Sequence, residues 1–206
     1  MSRRIVLFVL ASLLVPTSAS WAAEPPAAPT VRVLDSVPLA QLLGAAKQDS
    51  AKQGRAVKGT VVLFLGTECP VSNGYAPEME RIYQEAKSRE VAVVGVYAEP
   101  TVTVAEAEAH GKEYGLTFPR SLDPEQAIAR AAEVQRMPTA VVFDAAGKVV
   151  YRGRVDDRWS PEGKRRDVPR TRELRDAIDA VVAGRAPQVS AAPPFGCPLP
   201  SPKQPK

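Results

Sequence analysis

The stretch Val61-Val62-Leu63-Phe64-Leu65-Gly66-Thr67-Glu68-Cys69-Pro70-Val71-Ser72 decides the reading of this chain. A continuous apolar run ends in glycine, and a cysteine follows with proline directly behind it. Such an apolar run, Gly59 to Leu65, fits a strand buried on both faces, as in a parallel sheet. Proline suits the first position of a helix, where its missing N–H would be unpaired anyway. Cys69 is therefore expected at a strand-to-helix junction. The free N–H groups and partial positive charge of a helix N-terminus favour thiolate, so its pKa is expected below the usual value of about 8.5. Glu68 opposes this if its carboxylate points inward. Ser72 stands where the second cysteine of a C-x-x-C pair would be.

Outward from this point the pattern alternates. Leu39 to Gln53 carries an apolar face at Leu39, Leu42, Leu43 and Ala46, the spacing of a helix. A helix is expected from Pro70, kinked or restarted at Pro77 and running to Ser88. Val91 to Tyr97 is a second buried strand. Thr103-Val104-Ala105-Glu106 is a capping box opening a helix to about Tyr114. Leu116 to Pro119 is expected to be extended, and Asp123-Pro124 to start another helix with Asp123 as N-cap. Thr139 to Phe143 and Lys148 to Tyr151 form a hairpin around Asp144-Ala145-Ala146-Gly147. Arg152 to Arg170 is a charged loop. Thr171 is expected to cap a last helix that buries Leu174, Ala177, Ile178, Val181 and Val182 and stops at Gly184. The order predicts an α/β fold with a central mixed β-sheet flanked by helices.

The chain has 206 residues, an apolar share of 45% and a formal net charge of +4 from 27 basic and 23 acidic side chains. This composition supports one ordinary domain with extensions and argues against global disorder. The charges are mixed. Lys164-Arg165-Arg166 is interleaved with Asp156, Asp157, Glu162 and Asp167, which reads as a solvated loop, so no nucleic-acid partner is expected. Arg3 and Arg4 precede the apolar run Ile5 to Val15, and Ser20-Trp21-Ala22 suits signal cleavage. The organisation read from this is a signal peptide over 1–22, a flexible leader over 23–30, a domain over 31–184 and a Pro-rich tail over 185–206. A periplasmic or secreted location follows, without stable membrane insertion after cleavage. That location permits disulfides.

Met137-Pro138-Thr139 is the second element of interest, a proline just ahead of a strand. Together, the apolar strand, "GTECP" at a helix start and "RMPTAVVFDAAGKVVYRGRVDD" resemble the thioredoxin fold. More narrowly they resemble the redoxins, akin to alkyl hydroperoxide reductase and thiol-specific antioxidant proteins. The likeness spans roughly residues 31 to 184. It implies that Cys69 is the attacking thiol and Pro138 a cis-proline facing it. It also implies that backbone beside Met137 pairs with a substrate chain. Thr67, Pro70, Ser72, Met137 and Pro138 would then line the substrate site, with Ser72 donating a hydrogen bond to the thiolate. Gly196-Cys197-Pro198 resembles the "GC-P" ending of extracytoplasmic redoxins.

The expected activity is thiol–disulfide oxidoreduction, with a protein disulfide or thiol, or a hydroperoxide, as partner and a thiol as electron donor. Sulfur carries the electrons, so no cofactor is needed. Cys197 is the candidate resolving thiol, brought back by the tail. A permanent Cys69–Cys197 staple and a bond to another chain are the other readings of Cys197. The rival functions are a peroxiredoxin-like peroxidase and a non-catalytic binding module locked by that staple. Against the peroxidase pattern Pro-x-x-x-Thr-x-x-Cys, this chain has Val62 and Gly66, with threonine displaced to Thr67. Asn73 stands where a copper-binding relative has its second cysteine. One histidine and two distant cysteines give no zinc spacing. His110 reads as a packed helical histidine, Trp159 as a partner surface or a pin for its loop, and Tyr75 and Glu78 as weak candidates to line the Cys69 site.

Overall fold

A computed structural model describes residues 33–34, 38–52, 56–159 and 163–202. The expected signal peptide and leader lie outside the described residues. The elements run β1 (Val33–Leu34), α1 (Leu39–Lys52), β2 (Gly59–Leu65), α2 (Pro70–Ser88), β3 (Val91–Tyr97), α3 (Val104–Glu113), β4 (Arg120–Leu122) and α4 (Ala127–Ala131). They continue with β5 (Arg136–Met137), β6 (Thr139–Asp144), β7 (Val149–Gly153), α5 (Glu173–Val182), β8 (Ala191–Ala192) and β9 (Cys197–Pro198).

Seven strands form one sheet in the order β1-β4-β3-β2-β6-β7-β8, and β5 pairs with β9 apart from it. The first four sheet strands are parallel. β6 then runs antiparallel to β2, and β7 antiparallel to β6. The mixed sheet flanked by helices is the one expected. Strand alternation divides the core. Val61, Leu63 and Leu65 of β2 face Met79 and Ile82 of α2 and Leu174 and Ile178 of α5. Val62 and Phe64 face Leu42 of α1 and Ile128 of α4. Every residue of β2 and β3 is buried, which is why both read as near-continuous apolar runs, with Thr60 the one polar side chain.

Local expectations differ from the structure at four places. Pro77 sits inside one continuous helix, Pro70–Ser88, and does not restart it. The extended segment is Arg120–Leu122 rather than 116–119: Pro119 has no N–H for a ladder, and pairing starts where its carbonyl accepts from Gly95 N–H at 2.8 Å. Asp123 does not open a helix at Pro124. Gln126 takes a left-handed conformation (φ 57°), α4 begins at Ala127, and the Asp123 carboxylate accepts from Ala129 N–H at 2.8 Å. Thr171 is not a cap. Its hydroxyl donates to Glu173 at 2.8 Å, and the residue before α5 is Arg172, with no side-chain cap bond.

Residues beyond Gly184 contribute strands as well. β8 lies parallel to β7, with Arg152 opposite Ala191 and Gly153 opposite Ala192. β9 is antiparallel to β5, with Met137 opposite Cys197 and Arg136 opposite Pro198.

Candidate functional site

Parallel strands β2 and β3 end side by side, Leu65 opposite Tyr97, so the loops that follow them share one rim of the sheet. This rim at the carboxyl ends is where open α/β sheets place ligands. Cys69 occupies the N-cap position of α2, with extended backbone (φ −82°, ψ 111°) and Pro70 at the start of the helix. Its residue is 3% exposed. The Ser72 backbone N–H points at Cys69 Sγ, with the nitrogen 3.5 Å away. The Ser72 hydroxyl accepts from Gly66 N–H at 3.1 Å and so closes the loop that carries the cysteine. Glu68 is exposed.

Cys69 and Cys197 are joined in a disulfide across 128 residues, with Cα atoms 6.0 Å apart. The Met137–Pro138 peptide bond is cis. The Met137 carbonyl oxygen lies 3.4 Å from Cys69 Sγ. The structure thus brings Cys69, Ser72, Met137 and Cys197 together. The tail segment lies along the Arg136–Met137 edge and is tied there at several points. Leu199 N–H donates to Gln135 O at 2.9 Å, Arg136 Nη1 to Gly196 O at 2.9 Å, and Gln126 Nε2 to Pro200 O at 2.5 Å. Leu199 also packs against the core face of α1 and α4. Gly196 (φ 156°) passes so close that a Cβ there would overlap the Met137 carbonyl.

Thr67 is tied to Glu99. Its N–H donates to Glu99 Oε2 at 2.8 Å and its hydroxyl to Oε1 at 3.2 Å. Burial raises the Glu99 carboxyl above its ordinary value, while the Thr67 donors oppose this. Asn73 donates from Nδ2 to Thr67 O at 3.0 Å and to Tyr114 Oη at 3.2 Å. Its Oδ1 therefore accepts, so His110 Nε2, 2.9 Å away, is the donor there. His110 Nδ1 then accepts from Tyr97 OH at 2.7 Å. This neutral tautomer agrees with the lowering of the His110 pKa, caused first by burial and then by the charge of Arg120. The sole histidine is packed, as its helical position suggested, and holds Asn73, which holds the Thr67 backbone.

Tyr75 and Glu78 do not line the site. Tyr75 OH donates to Asp156 Oδ1 at 2.6 Å, and burial raises its pKa. Glu78 accepts from Arg81 at 3.0 Å and Arg175 at 3.1 Å. Trp159 is half-buried over Gly74 and packs on the core, which pins its loop. Sequence reasoning missed Glu99, Asn73, Gln126 and Arg136. Asn73 carried a signal, one helical turn beyond Cys69. Glu99 carried a weaker one, just past the end of the strand parallel to β2.

The redoxin family model matches residues 27–170, more than half of the chain. The chain belongs to the redoxin family. Its thioredoxin-like fold follows from that membership and from the sheet described above. This redoxin is similar to thiol-disulfide oxidoreductase ResA of Halalkalibacterium halodurans, at 33% identity over 94 residues, 45% of this chain and 52% of that protein. ResA of Bacillus subtilis is 33% identical over 95 residues, 45% of this chain and 51% of that one. The matches thus span about half the length of these curated relatives. Among solved structures, an uncharacterized conserved protein from Geobacillus kaustophilus superposes with TM-score 0.62 at 27% identity, covering 71% of this redoxin and 79% of that chain. A hypothetical protein from Sinorhizobium meliloti 1021 gives TM-score 0.61 at 26% identity, covering 69% and 79%.

Proposed function

We propose that this redoxin is an exported thiol–disulfide oxidoreductase in which Cys69 attacks and Cys197 resolves. The observation that carries the reading is the Cys69–Cys197 disulfide, formed between a helix N-cap and a strand lying beside cis-Pro138. A purely structural staple has no need of a helix N-terminus. A leaving or attacking thiolate does, because the free N–H groups there stabilise the anion by about 0.3–1 kcal/mol. The ResA relatives, named as thiol-disulfide oxidoreductases, support the same reading.

In the dithiol form, Cys69 thiolate attacks one sulfur of a substrate disulfide and expels the other as thiolate. Cys197 thiolate then attacks Cys69 Sγ in the mixed disulfide and releases the second substrate thiolate. The substrate gains two electrons and the protein becomes the disulfide seen here. Ser72 N–H faces the sulfur that carries charge between these steps. Met137 and Pro138 shape the edge along which the substrate lies, and Pro70 starts the helix. The Thr67–Glu99 contacts, braced by Asn73 and His110, hold the preceding loop. The partner is an extended protein segment bearing a disulfide or thiol, with a thiol donor closing the cycle. Residues 1–22 serve as the export signal. N-terminal sequencing of protein from the periplasmic or secreted fraction should then start near Ala23.

Turnover of a protein disulfide substrate tests the reaction. Cys69→Ser is expected to abolish it. Cys197→Ser is expected to stop after one half-reaction, with substrate trapped on Cys69. Unchanged turnover in both variants would refute catalysis by this pair. A Cys69–Cys197 bond that withstands mild dithiol reductants would leave only the locked binding module.

A further inference from the structure

The two sulfurs of the disulfide are not equivalent. Cys69 is 3% exposed. Its Sγ has the Met137 carbonyl oxygen at 3.4 Å, and that partial negative charge repels an arriving thiolate. Cys197 is part-exposed, on a strand paired along one edge only among the described residues. The exposed Arg136 guanidinium sits next to it, donating to the carbonyl of the preceding residue, Gly196, at 2.9 Å. A positive charge there draws thiolates toward Cys197.

Leaving-group chemistry points the same way. In thiol–disulfide exchange the better-stabilised thiolate departs faster. Attack on Cys197 expels Cys69, whose sulfur faces the Ser72 N–H at the start of α2. Attack on Cys69 would expel Cys197, which has only the exposed, solvent-screened Arg136 charge nearby and no N–H group of a helix start aimed at its sulfur.

We propose that reducing equivalents arrive at Cys197, so that the donor's mixed disulfide forms on the tail and never on Cys69. This rests on the oxidoreductase reading and adds to it the order of the regenerating half-reaction. One thiolate of a dithiol donor attacks Cys197 Sγ, forming donor–S–S–Cys197 and releasing Cys69 as thiolate. The donor's second thiolate then attacks its own first sulfur and expels Cys197 thiolate. The donor dithiol becomes a disulfide, the protein disulfide becomes two thiols, and two electrons pass. The tail carries the donor away from the Arg136–Met137 edge, so donor and substrate use different sulfurs of one centre.

Glutathione is the probe, because a monothiol stops at the mixed disulfide. The oxidised full-length protein is mixed with glutathione, quenched in acid at a series of short times, alkylated and digested with trypsin. Residues 59–81 and 186–203 are separate tryptic peptides carrying Cys69 and Cys197 respectively. Extrapolated to zero time, glutathione is expected on 186–203 and the alkyl group on 59–81, with at least about a tenfold excess over the reverse pattern. Glutathione mainly on 59–81, or equally on both, overturns the proposal. Substrate turnover by the same preparation separates the two readings: turnover with the adduct on Cys69 refutes only the order of attack, whereas no turnover and no adduct refute the oxidoreductase reading and this one with it.

Discussion

Reduction of the Cys69–Cys197 bond is expected to free the tail, and stability reports it. In the chain-entropy model, a cross-link over 128 residues restricts the unfolded chain by about 5 kcal/mol. That is the full loss on reduction if the folded state does not change. The contacts that would keep the tail in place are few. The bonds of Leu199, Arg136 and Gln126, the two-residue β5–β9 ladder and the part-buried Leu199 side chain together return about 4–6 kcal/mol at about 1 kcal/mol each. Against this stands the ordering of residues 193–200. Four of them are proline and already restricted; the other four cost about 4–8 kcal/mol. Taken at the midpoints of these ranges, ordering outweighs the contacts by roughly 1 kcal/mol. The reduced folded state therefore recovers that much by releasing the tail. The net loss should be about 4 kcal/mol, below the 5 kcal/mol ceiling. Urea unfolding of oxidised and reduced protein measures it, and hydrogen exchange at the Leu199 amide reads the tail directly. A loss of the full amount with the Leu199 amide still protected would refute the reasoning.

Further outcomes can be measured on the same protein. Gly196→Ala should shift the dithiol–disulfide equilibrium toward the dithiol by roughly tenfold in a glutathione redox buffer, since a Cβ meets the Met137 carbonyl; an unchanged equilibrium counts against the close approach. Tyr75→Phe should cost about 1–2 kcal/mol in urea unfolding, because it removes the donor to buried Asp156 while Arg158 N–H still serves that carboxylate at 2.8 Å. His110 has a folded pKa below its unfolded one, so the unfolded chain binds the extra proton between the two. Its contribution is fully present above about 6.5 and is lost as pH falls through that window. The stability difference between wild type and His110→Phe should shrink as pH drops from 7 toward 5. A constant difference would contradict a neutral, buried His110.

Much of the fold was legible because its signals are local. β2 and β3 are buried throughout and, Thr60 apart, apolar, since helices cover both faces, and the capping box at Thr103 and Glu106 is present as spelled. The errors came where a tertiary contact overrode a local preference. Asp123-Pro124-Glu125-Gln126 spells a helix start, yet Gln126 is left-handed and its side chain reaches both Ala98 O and Pro200 O. The partner of its amide lies 74 residues away, beyond any local pattern.

The sequence alone determined that Cys69 would stand at a helix start without a cysteine in its own turn, because proline placement and apolar runs act over a few residues. Whether Cys197 reached it was a matter of three-dimensional closure. The tail had to lie antiparallel to Arg136–Met137 in the one register that sets Cys197 opposite Met137, whose carbonyl touches Cys69 Sγ. Glycine at 196 permits that approach, and bonds from Gln126, Gln135 and Arg136 hold it. Apart from Gly196, none of these residues lies near Cys197 in the chain. Only packing decides which long-range pairing is made, since closing a loop of this length costs little more than closing many others.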